Sequence, residues 1–306
     1  MTIGRRALIL ALASLLAAPA LPGCAGPRQE RAAAGPGESA SFRFAWPDAF
    51  RVQVSLRHES HRQGAPPSIG VVRQVLEVEA RGEELWVFTR QSQGEGSDPD
   101  LATNLAIAEA IVQVVGRDGR YLRAEGIDKA LDILASQGDQ RDREEARRTL
   151  QRLTAEDWEA SVGLWRGQRL ELGKPRHRRI ESSLPLIPGI PAAMDAEYGL
   201  EGLVPCEEGE AQRRCAELTY RMRAAPTGKA DLLRRLAAGL PQGAPGVVDV
   251  AASSESILVT DPRTLVPKRL TVRQELRIRL RMGDGTEREV EERSLDEYRF
   301  TAEVEI

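Results

Sequence analysis

The chain has 306 residues, a formal net charge of −3, 41% apolar and 4% aromatic residues. That length allows one large domain or two small ones, and the apolar share, supplied mostly by Leu, Val, Ala and Ile, argues against wholesale disorder. The mild acidity, with lysine only at Lys129, Lys174, Lys229 and Lys268, gives no electrostatic footprint for nucleic acid.

Arg5 and Arg6 precede an uncharged apolar run from Ala7 to Ala18, the pattern of a secretory signal with a positive start. The run falls short of the roughly 20 apolar residues of a spanning helix. Leu21-Pro22-Gly23-Cys24 follows and resembles the bacterial lipobox, although Pro22 departs from the usual second position. The resemblance implies removal of residues 1–23, lipidation of Cys24 as the new N-terminus and a place in the bacterial cell envelope. Ala25, where lipoprotein sorting rules would read Asp as a retention signal, implies the outer membrane. The alternative is cleavage near Ala18-Pro19-Ala20 that leaves Cys24 as a thiol. Loss of Arg5 and Arg6 takes the net charge to −5.

Residues 24–41 are rich in Gly, Pro and small side chains and read as a flexible tether. The body is expected over 42–306, with two related β-rich halves (about 42–166 and 167–306) suggested by an echo between Val114–Leu122 and Leu258–Leu265. Phe50, Val52, Val54 and Leu56 alternate with polar residues, which predicts a strand with one face inward. Val71–Ala80 and Leu85–Arg90 continue it as an antiparallel meander. Leu101–Ala110 reads as a helix, and Asp118-Gly119 as the turn between two short strands.

A helical stretch follows. Ile127, Leu131 and Leu134 share one face, 142–153 form a charged helix, and Thr154 is placed to cap a third helix bearing Trp158, Val162 and Trp165. Leu184–Pro191 holds three prolines, which excludes a central strand and predicts an irregular apolar segment. With Cys24 committed to lipid, Cys206 and Cys215 remain as an even pair in an oxidising compartment and are expected to form a disulfide stapling a hairpin. Thr227–Leu240 reads as a helix, and the alternation over Leu276–Met282 and Tyr298–Ile306 as strands with charges on their outer faces.

Chemistry-bearing motifs are few. His58, His61 and His177 are the three histidines; His58 and His61 bracket Glu59 but lack a third metal ligand. His177 lies in the basic run Lys174–Arg179, which suits either solvated surface or contact with anionic headgroups. No nucleophile elbow, phosphate loop, dinucleotide fingerprint or metalloprotease motif is present, so no catalytic residue, metal or cofactor is assigned. Trp158 and Trp165, with Leu186, Ile187 and Ile190, are candidates to line an apolar ligand groove; a core stripe under a sheet produces the same spacing.

The fold class expected is α+β, a mostly antiparallel, curved sheet with several amphipathic helices. In its order of elements this is similar to the half-barrel of lipoprotein-localisation carriers. The lipobox, the tether and the apolar proline-rich segment together point to a non-catalytic envelope protein that binds an apolar ligand, or a protein partner, between sheet and helices. A structural subunit of an envelope complex is the alternative. An envelope hydrolase would require two of the three histidines to meet carboxylates in one cleft.

Overall fold

The computed structural model describes residues 38–97, 101–136, 143–207, 213–238 and 245–302. The signal segment, Cys24 and the tether up to residue 37 lie outside them. The fold is sheet-dominated α+β. Its centre is an open, antiparallel sheet of eleven strands built from two meanders. The first comprises β2 (Ala49–Arg62), β3 (Ser68–Arg81), β4 (Glu84–Gly96), β5 (Val112–Gly116) and β6 (Tyr121–Glu125). The second comprises β8 (Arg176–Leu184), β9 (Ile187–Pro205), β10 (Arg214–Ala224), β11 (Gly246–Thr260), β12 (Pro267–Arg281) and β13 (Glu287–Ala302). Pairing of β2 with β13 joins them, so β6 and β8 are the sheet's two edges.

The period-two pattern decides which face is buried. Val52, Val54 and Leu56 of β2 lie opposite Ala302, Phe300 and Tyr298 of β13, and the side chains of Val52, Val54, Leu56, Phe300 and Tyr298 enter the main core. The outer face carries Arg–Glu ladders: Arg221 reaches Glu197, Glu201 and Glu255, and Arg279 reaches Asp249. Such exposed pairs each contribute about 0–1 kcal/mol, so solubility is their main effect.

Two segments close the core. Ser39–Ser41, expected from composition to be the tether's end, form strand β1 and pair with β7 (Arg169–Glu171). From there Phe42, Phe44 and Trp46 point inward on alternate residues, and the chain is fixed by bonds such as Phe42 N–H to Gln168 O at 2.8 Å and Arg43 N–H to Pro262 O at 2.9 Å. Phe44 also packs on Gly119, where φ is +81° and a Cβ would collide with the ring; only glycine serves both demands.

Four helices are described: α1 (Leu101–Ala110), α2 (Ile127–Ser136), α3 (Arg143–Trp158) and α4 (Lys229–Ala238). The first three share a satellite core of Ile107, Ile111, Leu131, Leu134 and Leu150. The boundary expected at Thr154 is absent. Its hydroxyl donates to Leu150 O at 2.8 Å inside a continuous α3, the alternative that Ser and Thr side chains offer to capping. The helix then widens into one π-turn, Glu159–Gly163.

The expectation for Leu184–Pro191 also fails. Pro185 and Leu186 turn a hairpin between β8 and β9, Leu186 taking a φ of +62°, and 187–191 already belong to β9. Proline is tolerated because β9 pairs with β10 only from Met194 onward; before that point one side of the strand carries no β10 ladder to break.

Cys206 and Cys215 are bonded, with Cα atoms 4.9 Å apart, and both are buried beside Val204 and Val259. The bond staples the β9–β10 hairpin next to Arg214↔Pro205. Replacing both with alanine is expected to lower the unfolding free energy by roughly 2.5 kcal/mol, the chain-entropy value for so short a loop. Urea denaturation checks this: dithiothreitol should shift the midpoint of the native chain and leave that of the double variant unchanged.

Candidate functional site

The residues expected to line one groove are not brought together. Trp158 is 2% exposed and Trp165 1% exposed. Trp158 packs its ring 5.4 Å from Trp46 and 6.0 Å from Phe44 and donates Nε1–H to Gly119 O at 2.9 Å. Trp165 meets Tyr198 edge-on at 6.0 Å. Both tryptophans are core. Leu186, Ile187 and Ile190 instead border a second apolar cluster of Leu184, Ala192, Met194, Leu232, Leu236, Val250, Ala252 and Leu276. The stripe at helical spacing is packing, as spacing alone allows.

The histidines do not converge either. His58 faces the core side of β2, His61 is exposed on the opposite face, and His177 stands exposed on β8, 3.7 Å from Glu197. The geometry set out for a hydrolase is therefore unmet. Among the described residues no three His, Cys, Asp or Glu side chains come together as metal ligands.

A polar belt crosses the core face instead. One row runs His58, Asp296, Val272, Ser256, Tyr220 and Tyr198 through β2, β13, β12, β11, β10 and β9; the next runs Ser60, Ser294, Gln274, Ser254, Met222 and Ala196. The belt is polar only across β2, β13, β12 and β11: Val272, Tyr220, Tyr198 and Ala196 belong to the main core, which Leu56, Tyr298, Leu270, Leu258, Leu218 and Leu200 continue, and Met222 packs against both that core and the second apolar cluster. Asp296 is its deepest member at 0% exposure. His58 Nδ1 lies 3.6 Å from its Oδ1, and Tyr298 donates its hydroxyl to Oδ2 at 3.3 Å. Burial pushes the Asp296 carboxyl up to about 7, against the opposing pull of His58 and Tyr298.

Asp157 of α3 is a second buried acid. Burial raises it well above the usual carboxylate range, and the Gln113 side chain on β5 only partly offsets this. Tyr121 on β6 is pushed up to about 12, first by burial and then by Asp157. Asp261 shows the opposite outcome. Burial works to raise it, but hydrogen bonds from Arg263, Arg213 and the Arg263 amide outweigh that and hold it at about 2.

Two clefts flank α4. The β10 ladder ends at Arg223↔Ser253 on one side and Ala224↔Met194 on the other, while β9 and β11 run on past it. Helix α4 packs against both β9 and β11, filling the place where β10 would have continued. Leu232 and Leu236 face the second apolar cluster. Because a helix satisfies its own backbone, it cannot pair with the strand edges beside it, and a cleft remains along each seam. The β9 seam holds about 390 Å³ between Ile180, Ala192 and Leu232. The β11 seam holds about 490 Å³ between Ala224, Leu232, Val250 and Ala252. Both fall within the 300–1,000 Å³ range of small-molecule sites. Sequence reasoning missed these clefts, since the only signal for them is the difference in length between β10 and its neighbours.

No protein-family model matches the chain, and no curated protein matches it. A solved structure described as lipid-protein interactions in lipovitellin superposes with a TM-score of 0.42 and 9% identity, covering 85% of this chain and 25% of its own. This chain thus spans a quarter of that neighbour's length, and a likeness of that order carries no argument about function.

The buried acids set a pH dependence. An aspartate raised from 3.8 to about 7 in the fold costs nothing below pH 4, where both states are protonated. The penalty grows between pH 4 and 7 and is constant above, at about 4 kcal/mol. Asp296→Asn is therefore expected to stabilise the fold at pH 8 and to change it little at pH 4. Thermal melts across that range check this; a variant that follows the native pH profile in parallel would refute the assignment.

Proposed function

We propose that the chain is a non-catalytic bacterial envelope protein, anchored by lipid on Cys24 at the outer membrane, that binds an apolar ligand at α4 between sheet and helix. The observation that carries the ligand reading is the interruption of the sheet at the end of β10. A ten-residue helix plugs the gap with Leu232 and Leu236 and leaves on either side a cleft with an apolar floor and a charged rim. The interface around Trp158 and Trp165, by contrast, is filled. The other exposed large apolar side chains among the described residues, Ile69, Val71 and Leu122, are too few to favour a docking subunit.

The same reading includes a half-barrel curvature. Helix α3 packs on β6 and also on β9, which lie nine strand steps apart in the sheet. A flat sheet would separate them by about 43 Å, whereas sixteen helical residues span about 24 Å. Curling of the sheet reconciles the two lengths.

Full-length protein in amphipol, titrated with N-phenyl-1-naphthylamine, is expected to give saturable fluorescence that Ala224→Trp and Ala251→Trp, both lining the β11 seam, weaken about tenfold by filling it. Non-saturable signal equal to that of empty amphipol would sink the ligand reading. For the anchor, mass spectrometry of the mature N-terminus should find Cys24 acylated, and Cys24→Ala should move the protein out of the membrane fraction. An unmodified Cys24 would remove the anchor and leave the cleft untouched.

A further inference from the structure

Resting on the apolar-ligand reading, we propose that the β11 seam takes the alkyl chain of an anionic amphiphile, whose carboxylate or phosphate is met by Arg223. The walls suit a chain. Ala224, Ala225, Leu232, Val250 and Ala252 supply apolar surface, and burying it against methylenes is favourable at roughly 25 cal/mol per Å².

The free edge of β11 does not suit an added peptide strand. The Val250 N–H is already taken by Asp249 Oδ1 at 2.8 Å, so a ladder extended along that edge would meet an occupied donor. On the opposite seam Arg235 similarly donates to Pro191 O at 3.2 Å, and Ala225 N–H to Ala193 O at 2.8 Å.

The rim decides the head group. Its charged members are Arg223, Lys229, Arg277 and Glu275. Lys229 Nζ is held 2.5 Å from Asp249. Arg277 is held by Glu275 and by Glu291 at 3.2 Å. Arg223 is exposed at the end of β10 and makes no hydrogen bond or ion pair among the described residues. Its cross-strand neighbour Asp195 is occupied by Arg179 at 2.8 Å. One unengaged guanidinium thus stands at the mouth of an apolar cleft, and an anionic oxygen there would gain charge-assisted hydrogen bonds. A cationic head would find the carboxylates of the rim already engaged, Asp249 by Lys229 and Glu275 and Glu291 by Arg277.

The test uses full-length protein in proteoliposomes and a diazirine-bearing dodecanoate, with crosslinks mapped by mass spectrometry. Labelling is expected on the peptides of Leu232 and Val250–Ala252. Unlabelled dodecanoate should compete about tenfold better than dodecanol, the order of one hydrogen bond to a charged group. Dodecyl phosphate matching dodecanoate assigns the site to anionic heads generally, and dodecanoate alone assigns it to carboxylates. Arg223→Gln should abolish the preference while leaving competition by dodecanol unchanged. Equal competition by dodecanol and dodecanoate in the native chain, or a preference that survives Arg223→Gln, overturns the proposal and leaves the apolar cleft standing. Absence of label from both cleft peptides overturns the ligand reading itself.

Discussion

The pairing of β2 with β13 is the constraint on which the rest of the structure depends. Every other neighbour pair in the large sheet is a hairpin or a short excursion along the chain; this one joins its two ends. Its formation closes the longest loop in the fold, and such non-local pairing is what slows β-rich chains. Register there is fixed at two levels. A slip of one residue would turn Val54, Leu56, Tyr298 and Phe300 outward. A slip of two would keep the faces but set Asp296 opposite Leu56 or Ser60 instead of His58. The buried carboxyl would then keep the Tyr298 hydroxyl of its own strand but lose the imidazole that faces its Oδ1. The same residue that weakens the fold as pH rises therefore discriminates against the nearest wrong pairings.

Much of the fold was legible because alternation is a property of adjacent residues. Phe50 to Leu56 and Leu276 to Met282 announced strands, and Asp118-Gly119 announced its turn. The disulfide followed from counting cysteines under the expectation of an oxidising compartment. Failures came where a rule has two physical outcomes. A threonine near a helix boundary either caps or bonds back by one turn, and Thr154 does the second. Prolines exclude a strand only where both its sides carry a ladder, and the first part of β9 carries one. Composition extended the tether through Ser41, yet three residues of it are enough to pair with β7.

The candidate site was the least legible part, for a related reason. His58 and Asp296 meet only because the chain ends pair, and nothing local marks either as belonging to the other. Arg223 is distinguished by standing without a partner at the mouth of the cleft, where the other rim cations, Lys229 and Arg277, are both paired. That is a tertiary property. The bias toward arginine in composition, which argued for discounting any single guanidinium, hides it further.

Helix α4 is the least secured element over the second apolar cluster. Strands flanking a gap expose donors and acceptors that a helix cannot meet, so the side chains of Asp249 and Arg235 and the Ala225 amide meet some of them. What holds α4 is Leu232 and Leu236 inside, with Lys229–Asp249 and Arg235–Glu181 at the rim. Ten residues make a marginal helix on their own, and rim ion pairs add little. Lifting α4 breaks no strand ladder, whereas entry at Trp158 and Trp165 means displacing two buried rings. The sheet's interruption at Ala224 thus leaves a short helix as the cover over the second apolar cluster.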